Sequence, residues 1–173
     1  IRRRAGPQRW SAAHAAIAEA LTDDADPARR GAHLLEAGAF DAAADALLLG
    51  ARQLRAHGHA QRAAAVVDRL EQALTRAEAP ADDPRRIHAA ALDARLLAER
   101  HGATGAIAPG RAALDRARAH GDPTLVVEAG TALASSMARA GQTSEALALA
   151  EELLAELVDR VPPASQAALW GHA

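Results

Sequence analysis

The chain has 173 residues and a net charge of −2, and it contains no cysteine. Its length suits one domain or one array of small repeats, and the missing cysteine excludes disulfide bonds, thiolate nucleophiles and cysteine-based metal sites. All 20 basic residues are arginine and alanine exceeds a quarter of the chain, a bias that a GC-rich genome supplies. The arginine content is therefore weak evidence for nucleic-acid binding, and the negative net charge argues against such binding by this segment.

Apolar residues recur with the helical period along the chain, and no segment shows the period of two that a half-buried strand requires. Glycines and prolines divide the pattern into eight helices and the start of a ninth. The predicted helices span 7–22, 27–37, 40–57, 60–78, 84–101, 104–120, 123–139 and 143–160, and the ninth begins after Pro162 and Pro163. The expected fold class is therefore all-α.

The ends of the predicted helices carry residues with known capping preferences. Three helices begin with an aspartate suited to the N-cap and a proline suited to the first helical position: Asp26-Pro27, Asp83-Pro84 and Asp122-Pro123. Four helices end at a glycine suited to the left-handed conformation: Gly38, Gly58, Gly102 and Gly141. The longest interruption, 78–84, is predicted as a loop between repeats rather than as a domain boundary.

Small residues recur at fixed distances from three of these glycines. They are Gly31, Ala51 and Ala134 before the glycines, and Ala43, Ala63 and Ala146 after them. Two antiparallel helices joined by a short turn approach closely near that turn, so only small side chains fit there. Further along each second helix, Gly50, Leu70 and Leu153 are predicted to meet the next repeat.

This arrangement resembles the tetratricopeptide repeat, a helix–turn–helix unit of about 34 residues. Copies occupy three ranges, of which the last fits best: 44–78, 88–121 and 127–160. The resemblance implies antiparallel helix pairs stacked as a right-handed solenoid. The copies are degenerate, because the glycines are unevenly spaced and the helix at 40–57 must serve as the second helix of one pair and the first of the next.

A finer resemblance starts near Arg9. The phrases H-x-x-I-A-E-A-L and D-P-A-R-R-x-x-H-L are similar to the junction where helical repeats follow a STAND-type ATPase in large LuxR-type transcription regulators and some bacterial Ser/Thr kinases. The residues that carry it are His14, Ile17, Glu19, Leu21, Asp26, Pro27, Arg29, Arg30, His33 and Leu34. It implies that residues 1–24 end an upstream domain or cap the array, that 25–161 form the repeat array, and that 162–173 begin a further, truncated repeat.

No motif for catalysis or cofactor binding is present. The phosphate-binding glycine loops, HExxH and GxSxG are missing. His57 and His59 flank Gly58 without a third ligand nearby, so they are interpreted as cations at a helix end rather than as a metal site. Four carboxylates are interpreted as an acidic, solvent-exposed face of the predicted helix 143–160: Glu151, Glu152, Glu156 and Asp159. The expectation is a protein with no catalytic residue, no cofactor and no metal, and hence not an enzyme.

The resemblance to tetratricopeptide repeats also implies a partner-binding groove, lined by fixed positions of each first helix. Carried over copy by copy, these positions are Asp45, Leu48, Arg52 and Arg55, then Leu92, Leu96, Glu99 and Arg100, then Glu128, Thr131, Ser135 and Arg139. Leucines mixed with arginines suit a peptide or helix that carries apolar and acidic groups.

The expected role is a non-catalytic interaction module, the sensor or scaffold of a cytoplasmic bacterial signalling or transcription regulator. Its partner would be a protein or peptide, or other domains of the same full-length chain. No apolar run is long enough to span a membrane. A small-molecule effector domain of an ATP-dependent transcription regulator and an all-helical enzyme remain open as alternatives. The start at Ile1 and the apolar segment around Trp170 predict a piece of a longer protein with further repeats, or a homodimer formed through the truncated C-terminal end.

Overall fold

The computed structural model describes residues 6–21, 26–158 and 160. Helix is the only regular secondary structure in these ranges, which confirms the all-α class. The helices are α1 (Pro7–Ala20), α2 (Pro27–Ala37), α3 (Phe40–Ala56), α4 (Ala60–Arg76), α5 (Pro84–His101), α6 (Ala103–His120), α7 (Pro123–Arg139) and α8 (Thr143–Leu157). None of these eight is long and apolar enough to cross a membrane. The predicted ninth helix, with Trp170, and the carboxylate of Asp159 lie outside the described residues.

Helix starts follow the predicted capping residues. Each aspartate before α2, α5 and α7 accepts a hydrogen bond from a backbone N–H two or three residues later, and a proline opens each of these helices. The bonds run from Arg29 to Asp26 at 3.0 Å, from Arg85 to Asp83 at 2.9 Å and from Thr124 to Asp122 at 2.7 Å. The carboxylate satisfies a donor that has no partner within the helix, and the proline adds no further unpaired N–H.

Helix ends follow the predicted glycines with one exception. Gly38, Gly58 and Gly141 have φ angles of +87°, +78° and +84°, as expected for left-handed residues after a helix. Gly102 instead has φ of 99° and ψ of 151°. It is the single residue between α5 and α6 and caps both, so the chain passes directly into the next helix without closing a left-handed turn.

The chain forms two compact units that divide between Pro80 and Ala81, inside the loop predicted at 78–84. The first unit contains α1 to α4 and the second contains α5 to α8. Within each unit, every helix packs on the next one along the chain. The predicted packing of α7 on α8 is therefore confirmed.

In the first unit α3 is shared between two helix pairs, as the sequence predicts. It packs on α2 and on α4, whereas α2 and α4 barely touch. Helix α1 packs on α2 and is fixed there by two hydrogen bonds. Ser11 Oγ donates to the carbonyl oxygen of Ala37 over 2.7 Å, and Arg30 Nε donates to that of Ala18 over 3.3 Å.

The small residues predicted at close helix contacts are buried: Gly31, Ala43, Ala51, Ala63, Ala134 and Ala146. A Cβ added to Gly31 would lie 2.7 Å from Leu47 Cγ, across the α2–α3 contact. Gly50 lies against Ala28 and Leu153 against Gly130, so each contacts the other helix of its own pair.

The second unit has α7 at its centre, in contact with α5, α6 and α8. The largest side chains of its core are Leu and Ile residues that are at most 2% exposed: Ile87, Leu96, Leu114, Leu125, Leu133, Leu153 and Leu157. Ala117, Ala129 and Ala146 fill the space between these side chains. The core thus follows the composition, in which aromatic residues make up only 2% of the chain.

An ion-pair cluster joins α6 to α8. Arg118 Nη2 lies 2.7 Å from Glu152 Oε1 and 2.9 Å from Glu156 Oε2, and Arg118 Nε donates to Glu156 Oε2 over 3.2 Å. Two of the four carboxylates interpreted as a solvated face are therefore paired with an arginine. The helical period places them on one face of α8, but only the packing of the helices brings Arg118 opposite to them.

Candidate functional site

The twelve groove residues implied by the repeat resemblance divide into buried and accessible side chains. Four are core residues that present almost no surface: Leu48, Leu92, Leu96 and Thr131. The hydroxyl of Thr131 donates to the carbonyl oxygen of Val127 over 2.7 Å, within its own helix. A partner cannot contact such side chains unless the helices separate.

The accessible members of the set are Asp45, Arg52, Arg55, Glu99, Arg100, Glu128, Ser135 and Arg139. Most of them already interact within the protein. Glu128 illustrates this, because its Oε2 lies 2.7 Å from His88 Nδ1 and its carbonyl oxygen accepts a bond from Arg95. The first three residues lie in the first unit and the others in the second, so each unit carries only part of the implied surface.

A different surface of the first unit combines accessible cations with apolar area. Because α2 and α4 barely touch, a groove of about 390 Å³ remains between them above α3. Its lining residues are Asp26, Ala28, Arg29, Ala32, Leu54, Arg62, Ala65, Val66 and Arg69. This surface is called the arginine groove below.

The helical period explains why α4 presents arginines to this groove. Arg62, Ala65, Val66 and Arg69 stand at positions i, i+3, i+4 and i+7, which lie on one face of a helix. Val66 is buried at the edge of this stripe, together with most of the other apolar residues of α4: Ala63, Ala64, Val67, Leu70, Ala73 and Leu74. The same helix therefore anchors itself with one face and exposes Arg62, Ala65 and Arg69 beside it.

Helix α2 forms the other wall in a similar way. Gly31 and Leu35 are buried, whereas Arg29 is exposed and Ala32 is half-buried at the groove. Leu54 of α3 is half-buried beneath the space between the two walls. The arginine groove thus has an apolar floor and cationic sides.

The charges of the groove are unbalanced. The side chains of Arg29, Arg62 and Arg69 form no hydrogen bond or ion pair with any residue in the described ranges. The described part of the lining contains one carboxylate, Asp26, whose Oδ1 accepts the backbone N–H of Arg29 at the start of α2. Guanidinium groups that form no hydrogen bond within the protein can bind a carboxylate or phosphate of a ligand through two parallel hydrogen bonds.

Hollows in the second unit have fewer free charges. One of about 420 Å³ contains Arg116, which donates to the carbonyl oxygen of Ala81 over 3.3 Å, next to Asp82. Another of about 490 Å³ places Arg111 beside Asp115 on the outer face of α6. In each hollow one arginine is accompanied by one carboxylate, so neither concentrates positive charge as the arginine groove does.

Three aromatic rings, tilted by 49° and 43° from one to the next, join α1 to α2 in the first unit. The ring centroids of Trp10 and His14 are 4.7 Å apart, and those of His14 and His33 are 4.9 Å apart. The two Nδ1 atoms lie 2.9 Å apart, so one ring donates a hydrogen bond and the other accepts it. Burial, followed by the nearby His14 and Arg29, lowers the pKa of His33 below its usual value.

The two histidines considered for a metal site lie at a turn of the first unit. His57 and His59 are exposed on either side of Gly58, at the turn between α3 and α4. Among the described residues, no three side chains of His, Asp or Glu come together in a way that could hold a metal ion.

Sequence reasoning missed the arginine groove because it treated α3, rather than α2 and α4, as the helix that faces a partner. The signal was nevertheless present in α4, where two arginines seven residues apart flank Ala65 and Val66. The sequence matches no protein family, and comparisons with curated proteins and with solved structures find no match either.

Proposed function

We propose that the chain is a non-catalytic helical-repeat interaction module that binds a protein or peptide partner. In this proposal its helix pairs stack as a right-handed, tetratricopeptide-like solenoid. It serves as the sensor or scaffold of a larger cytoplasmic signalling or transcription regulator in bacteria. The pairwise packing of consecutive helices within each unit and the positive-φ glycines that follow α2, α3, α6 and α7 support the repeat architecture.

The arginine groove is the observation that carries the binding function. Arg118 of the second unit is neutralised by two glutamates, whereas the three arginines of the groove lack any partner among the described residues. Unpaired guanidinium groups beside an apolar floor fit a ligand that supplies both charge and apolar surface. Arginine is also enriched among the residues that dominate protein interfaces.

Selection from a library of random twelve-residue peptides, with the whole chain immobilised, tests the proposal. The enriched peptides are then measured by isothermal titration calorimetry against the parent chain and against a variant carrying Arg62→Ala and Arg69→Ala. We expect binding that this variant weakens by roughly tenfold or more, since each lost charge-assisted hydrogen bond contributes about 1.5–3 kcal/mol.

Arg111→Ala is the matched control, because Arg111 is an exposed arginine on α6, outside the groove. It should leave the affinity unchanged. The proposal fails if no peptide is enriched over the empty support, or if the enriched peptides bind the groove variant as tightly as the parent.

A further inference from the structure

We infer that the arginine groove binds a short acidic peptide segment in which two carboxylate side chains flank an apolar one. This inference rests on the proposed function and specifies the chemistry of the partner. Three observations support it: the spacing of the arginines, the apolar surface between them, and the excess of positive charge.

The spacing comes from α4. Arg62 and Arg69 are separated by about two helical turns, which is roughly 10 Å along the helix axis. Ala65 is exposed between them and contributes apolar surface to the groove, and the largely buried Val66 lies beside it in the lining. A peptide that satisfies both guanidinium groups must present two carboxylates roughly 10 Å apart with an apolar side chain in between. Acidic residues three positions apart in a polyproline II segment meet this requirement, because that helix has three residues per turn and rises about 3.1 Å per residue.

The opposite wall adds a third cation. Arg29 projects from α2 at the groove, so a bound segment can be contacted from both sides. Among the described residues of the lining, Asp26 is the one acidic residue, against three arginines. The groove therefore keeps an excess of positive charge although the whole chain has a net charge of −2.

The same observations disfavour other anionic partners. A nucleic acid would meet the net negative charge of the chain, and the described residues of the lining include no aromatic side chain on which a base could stack. A free phosphate would leave Leu54 and Val66 without a contact. An acidic peptide uses both the guanidinium groups and the floor.

Fluorescence anisotropy with a labelled synthetic peptide, Glu-Leu-Ala-Glu with blocked ends, tests the inference on the full chain. Two comparison peptides replace both glutamates by glutamine, or the leucine by serine. We expect the acidic peptide to bind at least tenfold more tightly than the glutamine peptide, and the serine peptide to bind more weakly than the leucine peptide. Arg62→Ala and Arg69→Ala should each weaken binding, whereas Arg62→Lys, which keeps the charge without the bidentate geometry, should weaken it less. Arg111→Ala should have no effect.

Each other outcome overturns the inference. Equal affinity for the acidic and glutamine peptides would show that the carboxylates do not contribute to binding. Equal affinity for the leucine and serine peptides would show that contact with the apolar floor does not contribute. Displacement of the acidic peptide by an equal concentration of inorganic phosphate identifies a simple anion site. If the acidic peptide does not bind but peptides from the random library bind through Arg62 and Arg69, the inference fails while the proposed function stands. If neither binds, both fail.

Discussion

Gly50 of α3 lies so close to Ala28 of α2 that a Cβ on Gly50 would sit 2.6 Å from the Cα of Ala28 and 2.7 Å from its Cβ. The obstacle includes the backbone of the neighbouring helix, which a change of side-chain rotamer cannot relieve. The distance between α2 and α3 is therefore set by the absence of a side chain at this position.

Gly50→Ala should destabilise the protein, because α2 must move away from α3 to admit the methyl group. Overpacking of this kind costs about 1–3 kcal/mol, partly offset by the better helix propensity of alanine, about 1 kcal/mol. Gly105→Ala in α6 is the control, since no atom lies within 4 Å of a Cβ at that position. Urea denaturation should show a loss of stability for the first variant and a small gain for the second. A gain for both would contradict the close contact.

Ala146→Leu should lower the free energy of unfolding by about 1–3 kcal/mol, because the side chain of Ala146 is fully buried in the core of the second unit. Ala148→Leu places the same change on an exposed position of the same helix and should be nearly neutral. Thermal unfolding of the two variants, followed by circular dichroism, separates packing from helix propensity. Equal melting temperatures would show that Ala146 is not at a tight contact.

Glu78→Gly should stabilise the protein. Glu78 has a φ of 55°, the only positive φ at a residue other than glycine in the described ranges, and it follows the end of α4. Left-handed backbone costs a residue with a Cβ about 1–2 kcal/mol, and the greater freedom of glycine in the unfolded chain cancels part of the gain. Glu78→Ala is the control: it keeps the Cβ and should bring no gain. A stabilisation by alanine as large as that by glycine would assign the effect to the lost carboxylate instead.

The stability of the protein should fall as the pH falls below about 6.5, the usual pKa of histidine. The pKa of His33 is lowered in the folded protein by burial, by His14 and by Arg29, so the unfolded chain binds more protons in this range. Stability contributed by neutral His33 is complete above the usual pKa and is lost as the pH falls toward the lowered one.

Urea denaturation on either side of pH 6.5 measures this effect. His33→Gln removes the titrating group and should flatten the pH dependence, whereas His59→Gln, at an exposed turn of the same unit, should leave it unchanged. Identical pH profiles for the parent and His33→Gln would contradict the assignment.

Helix boundaries were predictable because the signals that set them are local. Asp26 and Asp122 cap through hydrogen bonds within a few residues, and Gly38 and Gly141 end helices through their own φ angles. The conformation of Gly102 could not be predicted from such local signals. Its type and position suit a left-handed cap, but its conformation depends on α6 starting at the next residue.

The candidate site was not predictable to the same extent, because it depends on which helices lie side by side. The sequence places Arg62 and Arg69 on one face of α4, but their distance from Arg29 depends on the packing of α2 and α4 against α3. For the same reason, Leu92 and Leu96 were predicted to line a groove but are buried in the structure. A helical period identifies residues that share a face, whereas the tertiary fold decides what that face meets.

The sharing of α3 between two neighbours constrains how the first unit can change in evolution. An array of independent hairpins can gain or lose one hairpin by duplication or deletion, since each brings its own complementary surface. Removing α2 with α3 would here leave both α1 and α4 without the helix that each packs on, and removing α3 with α4 would uncover the face of α2 that packs on α3. The first unit is therefore expected to be inherited as an indivisible block, and changes in length should be tolerated at its turns or at α1, which packs on α2 alone.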